Sequence, residues 1–373
     1  MRPLRIVIAG GGIAALETAL GVRALAPDLS DVTLVAPGQT FSYRAAAVGE
    51  PFGASSVHRF DLARIARDIG VGLRRGAIAS VRAEERQATL GDGETIAYDA
   101  LVIACGAEAR PAIPGALTFA GPGDVASMRD LLAEIGSGRV LLVALAIPAS
   151  IGWTLPAYEL ALLLSHHAGA RLSVSIVSPE SEPLAAFGGD ASAAVRSLLE
   201  RRGIALHLNL TPVKAVGGAL RTRPHRDVPA DRVVALPRLF GVPIDGVPAT
   251  RAGLLRTDEH GRVERLADVY AAGDITAFPV KQGGIAAEQA DAVAQALAAE
   301  AGADVHPEPF RPVLRGRLVT GDGDRFLRAD IGGGRGDTAK TSLGPMWWPP
   351  VKTHGRYLAP YLARIDAAAL TTS

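Results

Sequence analysis

With 373 residues the chain is too long for one ordinary core and long enough for two or three domains. Its 39 lysines and arginines against 38 aspartates and glutamates leave a net charge of +1, which excludes the broad basic surface that nucleic acid needs. A single cysteine, Cys105, excludes an internal disulfide, a paired-cysteine redox centre and a cysteine zinc site, and suits a reducing compartment.

The first element carries the strongest signal. In RIVIAGGGIAALETAL, Arg5 to Leu20, the apolar run Ile6–Ala9 predicts a buried strand and Ile13–Leu20 a helix, with Gly10, Gly11 and Gly12 as the turn between them. The spacing G-x-G-x-x-A at Gly10, Gly12 and Ala15 suits a dinucleotide pyrophosphate. Gly10 permits the tight turn, Gly12 lets backbone approach the phosphates, and Ala15 lets helix and strand pack closely. Ile13 and Ala14 bring the free N–H groups of the helix start to the same place. There is no room for a signal peptide before Ile6. Val32–Val35 predicts the second strand. The acidic residue that often follows such a strand to bind an adenosine ribose is replaced by Ala36, with Glu17 and Gln39 as substitutes.

Phe41–Pro51 reads as a loop of small residues that places Tyr43 and Arg44 over a cofactor or on the surface. Asp61–Ile69 reads as a helix and Leu73–Tyr98 as hairpin strands, turning at Gly91–Asp92–Gly93. Ala100–Ala104 predicts a further buried strand, after which Gly106 lets the chain pass close to a nucleotide. Cys105 reads as a small buried residue rather than a reactive thiol, having no partner cysteine. Pro111–Asp124, with three prolines and three glycines, predicts a crossing between domains.

A second α/β unit begins at Arg139, with strands at 139–145, 171–177 and 204–208 and helices at 155–166 and 191–202. Where its phosphate-binding glycines belong, the sequence has Leu145-Ala146-Ile147-Pro148-Ala149-Ser150. This unit is built like a nicotinamide-binding domain but poorly equipped to bind one, with Trp153 placed to fill the vacated space. The uncharged stretch Val140–Tyr158 approaches the length of a membrane span, but Pro148, Gly152 and Pro156 interrupt it. His166 and His167 point to different sides of a helix end, which disfavours a shared metal.

Farther on, Val269–Asp274 is a short strand ending in Gly273–Asp274, and Ile285–Ala299 an alanine-rich helix preceded by Lys281-Gln282-Gly283-Gly284. Asp274 offers a carboxylate to ribityl or ribose hydroxyls. The helix start aims its positive end at the edge of a flavin, where negative charge builds on reduction. The tail from Pro307 has strands near 315–319 and 326–329, a glycine run at 332–336 that reads as a loop, and the aromatic segments PMWWPP and GRYLAPYL. Their aromatics suit a pocket for a flat substrate, a membrane interface, a dimer contact or plain packing; Trp347, Trp348 and Tyr357 are the candidates for shaping the substrate face.

RIVIAGGGIAALETAL, ALVIACGA and DVYAAGDIT stand in the order found in two-dinucleotide-domain flavoproteins, and the chain resembles the pyridine nucleotide-disulfide oxidoreductase superfamily. It most resembles the branch of sulfide:quinone oxidoreductases and type II NADH dehydrogenases, without the redox cysteines of the sulfide enzymes. The resemblance implies an α/β fold of two Rossmann-like, three-layer, glutathione-reductase-like domains. An FAD domain would comprise residues 1–115 and 240–310, a degenerate NAD(P)-like domain 116–239, and a C-terminal region 311–373. It implies an FAD site at Gly10, Gly12, Ile13, Ala14, Ala15, Arg44, Ala104, Gly106, Gly273, Asp274, Lys281, Gly284 and Ile285. Lys281 is also the candidate for stabilising reduced flavin or an anionic substrate. The implied activity is electron transfer between a small donor and an acceptor such as a quinone. The alternatives are an NAD(P)H dehydrogenase with an altered nicotinamide site and a flavin-bound sensor without turnover. The implied setting is the cytoplasm, with the aromatic tail available to the inner face of the membrane or to a second copy.

Overall fold

In the computed structural model, residues 2–331 and 339–365 are described. The apolar strand Leu4–Ala9 is the centre of a five-stranded parallel sheet. Its order is Val269–Ala271, Ala100–Ile103, Leu4–Ala9, Ser30–Ala36 and Gly72–Arg75. A strand with no polar alternation needs cover on both faces, and this one has it. Ile6 and Ile8 pack under the helices α1 (Ile13–Leu25) and α6 (Gly283–Glu300). Val7 and Ala9 pack on the other face against Ile78, Val81, Ala88 and Leu90, from an antiparallel meander of Ile78–Arg82, Gln87–Leu90 and Thr95–Ala97. The hairpin expectation for 73–98 therefore holds only from Ile78. Gly72–Arg75 joins the parallel sheet instead, because it directly follows α2 (Leu62–Ile69), whose start is capped by the Asp61 carboxylate.

The second unit repeats this plan. Its parallel sheet runs Leu117–Thr118, Arg232–Ala235, Leu142–Ala146, Ser173–Val177 and Ala205–His207. Val143 and Leu145 join the core that contains α4 (Leu155–Ala168), while Ala144 and Ala146 face Leu220 and Val228 of a second meander. Helices α3 (Val125–Gly136) and α5 (Gly189–Arg201) complete the unit. The expected strand at 139–145 forms three residues later, at Leu142–Ala146, because the Asp231 carboxylate accepts the Leu141 and Leu142 N–H groups at the sheet edge. An antiparallel ribbon of Ala107–Arg110 with Arg238–Gly241 ties the two passages between the units.

After α6 the chain forms an antiparallel sheet of Val313–Leu318, Arg325–Asp330 and Lys340–Ser342, then α7 (Leu358–Ile365). The glycine run at 332–336 lies outside the described residues. Among the described residues no helix is long and apolar enough to cross a membrane, and Val140–Tyr158 divides into strand, loop and helix as its prolines require.

Candidate active site

The turn after Leu4–Ala9 is held by contact as much as by sequence. Gly10 has φ +145°, and a Cβ there would lie 2.2 Å from the Ala104 carbonyl oxygen, so only glycine lets the two strand ends meet. Gly12, the N-cap of α1, has no side-chain cap, and a Cβ there would meet nothing within 4 Å. The first N–H groups of α1 thus open onto a cavity of about 1130 Å³, large for a single-ligand cleft.

Against the start of α1, where a Cβ would lie 3.0 Å from that of Ala14, Gly273 turns the chain at φ +84° and donates its N–H to Gln289 Oε1 at 2.8 Å. Thr276 Oγ donates to the Gly273 carbonyl at 3.0 Å and closes the turn. Asp274 is left facing the cavity, with no hydrogen-bond partner among the described residues. Burial raises its pKa, opposed by the charges of Lys281 and Arg44. Lys281 donates to the Thr276 carbonyl, and burial lowers its pKa to about 8, against the pull of Asp274. Gln282 caps α6 by accepting the Ile285 N–H at 2.9 Å and donates its amide to the Arg315 carbonyl at 3.2 Å. The uncapped helix start, the open space at Gly12 and the unpartnered Asp274 carboxylate fit the phosphates and hydroxyls of a flavin dinucleotide.

Gly12, Ile13, Ala14, Arg44, Ala104, Gly106, Gly273, Asp274 and Lys281 all line the one cavity. Gly10, Ala15, Gly284 and Ile285 are buried directly behind its wall. Cys105 is exposed on the wall, a correction to the buried thiol expected, since the backbone turns it outward at the strand end. The protein packed around it still pushes the thiol up to about 11, the opposite of activation.

The tail aromatics are not brought to the cavity. The Trp347 indole N–H donates to the Val351 carbonyl at 2.9 Å and its ring packs on Phe326. Trp348 is 81% exposed. The Tyr357 ring covers Gly21 on the far side of α1. The tail instead reaches the cavity at Lys352 and Thr353, where Thr353 N–H donates to the buried Tyr43 hydroxyl at 2.8 Å. Glu17 is not a ribose acceptor: it is fully buried and accepts the Tyr357 and Leu358 N–H groups at 2.8 and 2.7 Å.

Sequence reasoning missed four charged residues of the wall: Glu159 of α4, Arg315 and Arg317 of Val313–Leu318, and Lys352. Lys352 Nζ lies 2.7 Å from Glu159, and both are almost completely buried. Their signals were faint. Glu159 is the lone acid in the apolar run LPAYELALLL, and the two arginines alternate with Leu314, Gly316 and Leu318.

Two repeated three-layer units around one cavity define a two-domain oxidoreductase fold. A family model described as pyridine nucleotide-disulphide oxidoreductase matches residues 4–301, and the chain belongs to that family, as an FAD-dependent oxidoreductase. Over 362 residues it is 27% identical to the ferredoxin–NAD(+) reductase subunit of the benzene 1,2-dioxygenase system of Pseudomonas putida, covering 88% of this chain and 84% of that one. Among solved structures, the sulfide:quinone oxidoreductase of Aquifex aeolicus superposes with TM-score 0.80 at 20% identity, covering 91% of this chain and 86% of that one. A ferredoxin reductase of the CYP199A2 system from Rhodopseudomonas palustris gives 0.67 at 20% identity, with 88% and 83% covered. At these identities the structural likeness concerns the fold.

Proposed function

We propose that the protein binds FAD in this cavity and passes electrons between a small-molecule donor and an acceptor such as a quinone, without a cysteine pair. The observation that carries the proposal is the continuity of the cavity. It runs from the uncapped start of α1 past Asp274 to Lys281–Gly283, and on to a wall of α4, the C-terminal sheet and the tail. FAD, when bound, supplies the redox chemistry; the chain supplies position and charge. In this reading Gly10, Gly12, Ile13, Ala14 and Ala15 form the pyrophosphate turn, and Arg44 adds positive charge. Ala104 and Gly106 allow close approach, and Gly273–Asp274 receives the ribityl hydroxyls. Lys281, Gly284 and Ile285 bring the positive end of α6 to the ring. The buried Glu159–Lys352 pair holds a proton at the cavity wall, where a substrate gaining or losing protons needs one.

The domain division at about 115/116 and 239/240 is proposed on the ribbon that ties the two passages. Exposed Trp348 and Leu343 support contact of the tail with a membrane surface. A second reading, NAD(P)H as donor, is favoured by the name of the Pseudomonas relative. Against it stands the loop at Pro148. Glu180, just after the strand Ser173–Val177 where a ribose-binding acid belongs, also counts against it, since its carboxylate already accepts from the hydroxyls of Thr154, Tyr158 and Ser178 at 3.0, 2.8 and 2.9 Å.

The test is an anaerobic titration of the yellow holoprotein with NADH, NADPH and sulfide in turn. Separately, the flavin is photoreduced and a soluble quinone added. Rapid reoxidation by quinone with little bleaching by either nicotinamide is the expected result. Fast bleaching by NADH or NADPH would establish the second reading, and a preparation that takes up no FAD would remove both.

A further inference from the structure

Beyond Gln282 the cavity wall changes character. Six cationic side chains line the cavity as a whole against two carboxylates, Glu159 and Asp274. Three of the six, Arg315, Arg317 and Lys352, are gathered at the far end. Arg315 and Arg317 lie two residues apart on one face of Val313–Leu318, because Leu314, Gly316 and Leu318 between and after them are buried on the other. Each guanidinium is fixed from behind. Arg317 donates from Nε to Asp324 at 2.6 Å and from Nη1 to the Pro350 carbonyl at 3.2 Å, and Arg315 pairs through Nη1 with Glu288. Neither Asp324 nor Glu288 lines the cavity. The Nη2 group of each arginine therefore remains without a hydrogen-bond partner among the described residues.

Two largely buried guanidiniums, each held through other nitrogens and each with Nη2 uncommitted, offer one charged donor apiece to the two oxygens of a carboxylate. Partial burial strengthens such a contact relative to open water. Each of the three cations at this end has a carboxylate partner, Glu288, Asp324 and Glu159, so the uncommitted Nη2 donors of the two arginines, rather than an excess of charge, are what a ligand meets. Trp153 and Leu155 line the same cavity and give it apolar surface, suited to a small hydrocarbon body.

We infer that this end of the cavity is a subsite for the carboxylate of a small organic acid, held by Arg315 and Arg317. The inference rests on the proposed flavin site for its meaning, because Gln282 joins the Arg315 backbone to the start of α6 and so sets the acid beside the ring edge. It makes an organic acid the substrate class, in place of an uncharged compound.

The experiment is calorimetric titration of the purified holoprotein with benzoate, pyruvate and succinate, each compared with its amide. FAD content is read separately from absorbance, so loss of the flavin reading and loss of the acid subsite are distinguishable. At least one acid is expected to bind about tenfold or more tightly than its amide. Arg317→Lys, which keeps the charge but loses the free Nη2 donor, is expected to remove that preference at unchanged FAD content. Should Arg317→Lys melt early, Arg315→Lys replaces it and carries the same expectation. Amides that bind as well as acids, an acid preference untouched by either substitution, or no binding of any acid below about 10 mM would overturn the inference.

Discussion

At the residue scale, the glycine turn separates two requirements that its sequence motif merges. Gly10 is a structural necessity, since its φ of +145° and a Cβ 2.2 Å from the Ala104 oxygen both exclude a side chain. Gly12 has an ordinary negative φ of −95° and open space around it, so its constraint comes from whatever enters the cavity. Gly10→Ala is expected to destabilise the fold by roughly 2 kcal/mol or more, read as a lower unfolding midpoint. Gly12→Val is expected to lower stability by about 1 kcal/mol or less, through the poorer N-cap, while weakening FAD binding about tenfold or more. Equal FAD affinity in Gly12→Val and wild type would contradict the phosphate site. The motif was legible because its partners are neighbours in sequence. Glu159, Arg315, Arg317 and Lys352 were not, because three distant segments meet to place them, and each alone reads as an ordinary solvated charge.

At the scale of elements, the tail is fastened to α1 by one carboxylate. Glu17 is fully buried and receives two backbone N–H groups at the start of α7, a placement the helix dipole favours. Burial nevertheless dominates and raises its pKa to about 7, with Asp291 of α6 adding repulsion. Burial likewise raises Asp291 to about 6, eased by Arg356. A carboxyl raised on folding contributes stability that is complete below its unfolded value, about 4.3, and is lost as pH rises through the folded value. Wild type is therefore expected to lose stability between pH 5 and about 7.5, by up to roughly 3 kcal/mol from Glu17. Glu17→Gln should flatten that slope, leaving the smaller fall from Asp291 below about pH 6.5. Unfolding midpoints measured across this range decide the matter; parallel slopes in the two proteins would refute the assignment. Sequence offered no route to this role, because Glu17 sits at a plausible distance from the glycine turn and its partners lie some 340 residues away. The buried strands of the two parallel sheets and α1, α2, α4, α5 and α6 were legible from apolar runs. Gly72–Arg75, with two adjacent arginines, was not read as a parallel strand, and α3, α7, the ribbon of Ala107–Arg110 with Arg238–Gly241 and the second meander were not read at all, because their exposed faces break up any apolar run.

At the scale of the molecule, the two units share one plan but differ at one loop, and that loop forms the seam between them. In the first unit, the turn after the central strand opens onto the cavity. In the second, the equivalent turn runs from Ile147 to Thr154 and folds against the segment between Asp274 and Lys281. A Cβ on Gly152 would lie 2.2 Å from the Pro279 carbonyl oxygen. Trp153 fills space beside it and packs on Phe187, with ring centroids 5.8 Å apart. The repeat thus explains both the resemblance of the second unit to a dinucleotide domain and its lack of the glycines such a domain uses: the space is spent on joining the units. The seam borders the residues assigned to the flavin, so disturbing it should disturb flavin retention without touching the glycine turn. Gly152→Ala is expected to lower stability by about 1–3 kcal/mol, the usual penalty for overpacking, and to speed FAD release. Ser150→Gly, in the same loop, is the control. Ser150 is exposed at the cavity edge with φ +66°, and its hydroxyl makes no hydrogen bond among the described residues, so glycine there relieves backbone strain and should stabilise by up to about 1 kcal/mol with FAD release unchanged. Thermal unfolding with flavin-fluorescence release kinetics on both variants separates the outcomes. If Gly152→Ala retains FAD as long as Ser150→Gly does, the seam does not support the flavin segment, and the second unit must be assigned another part in the molecule.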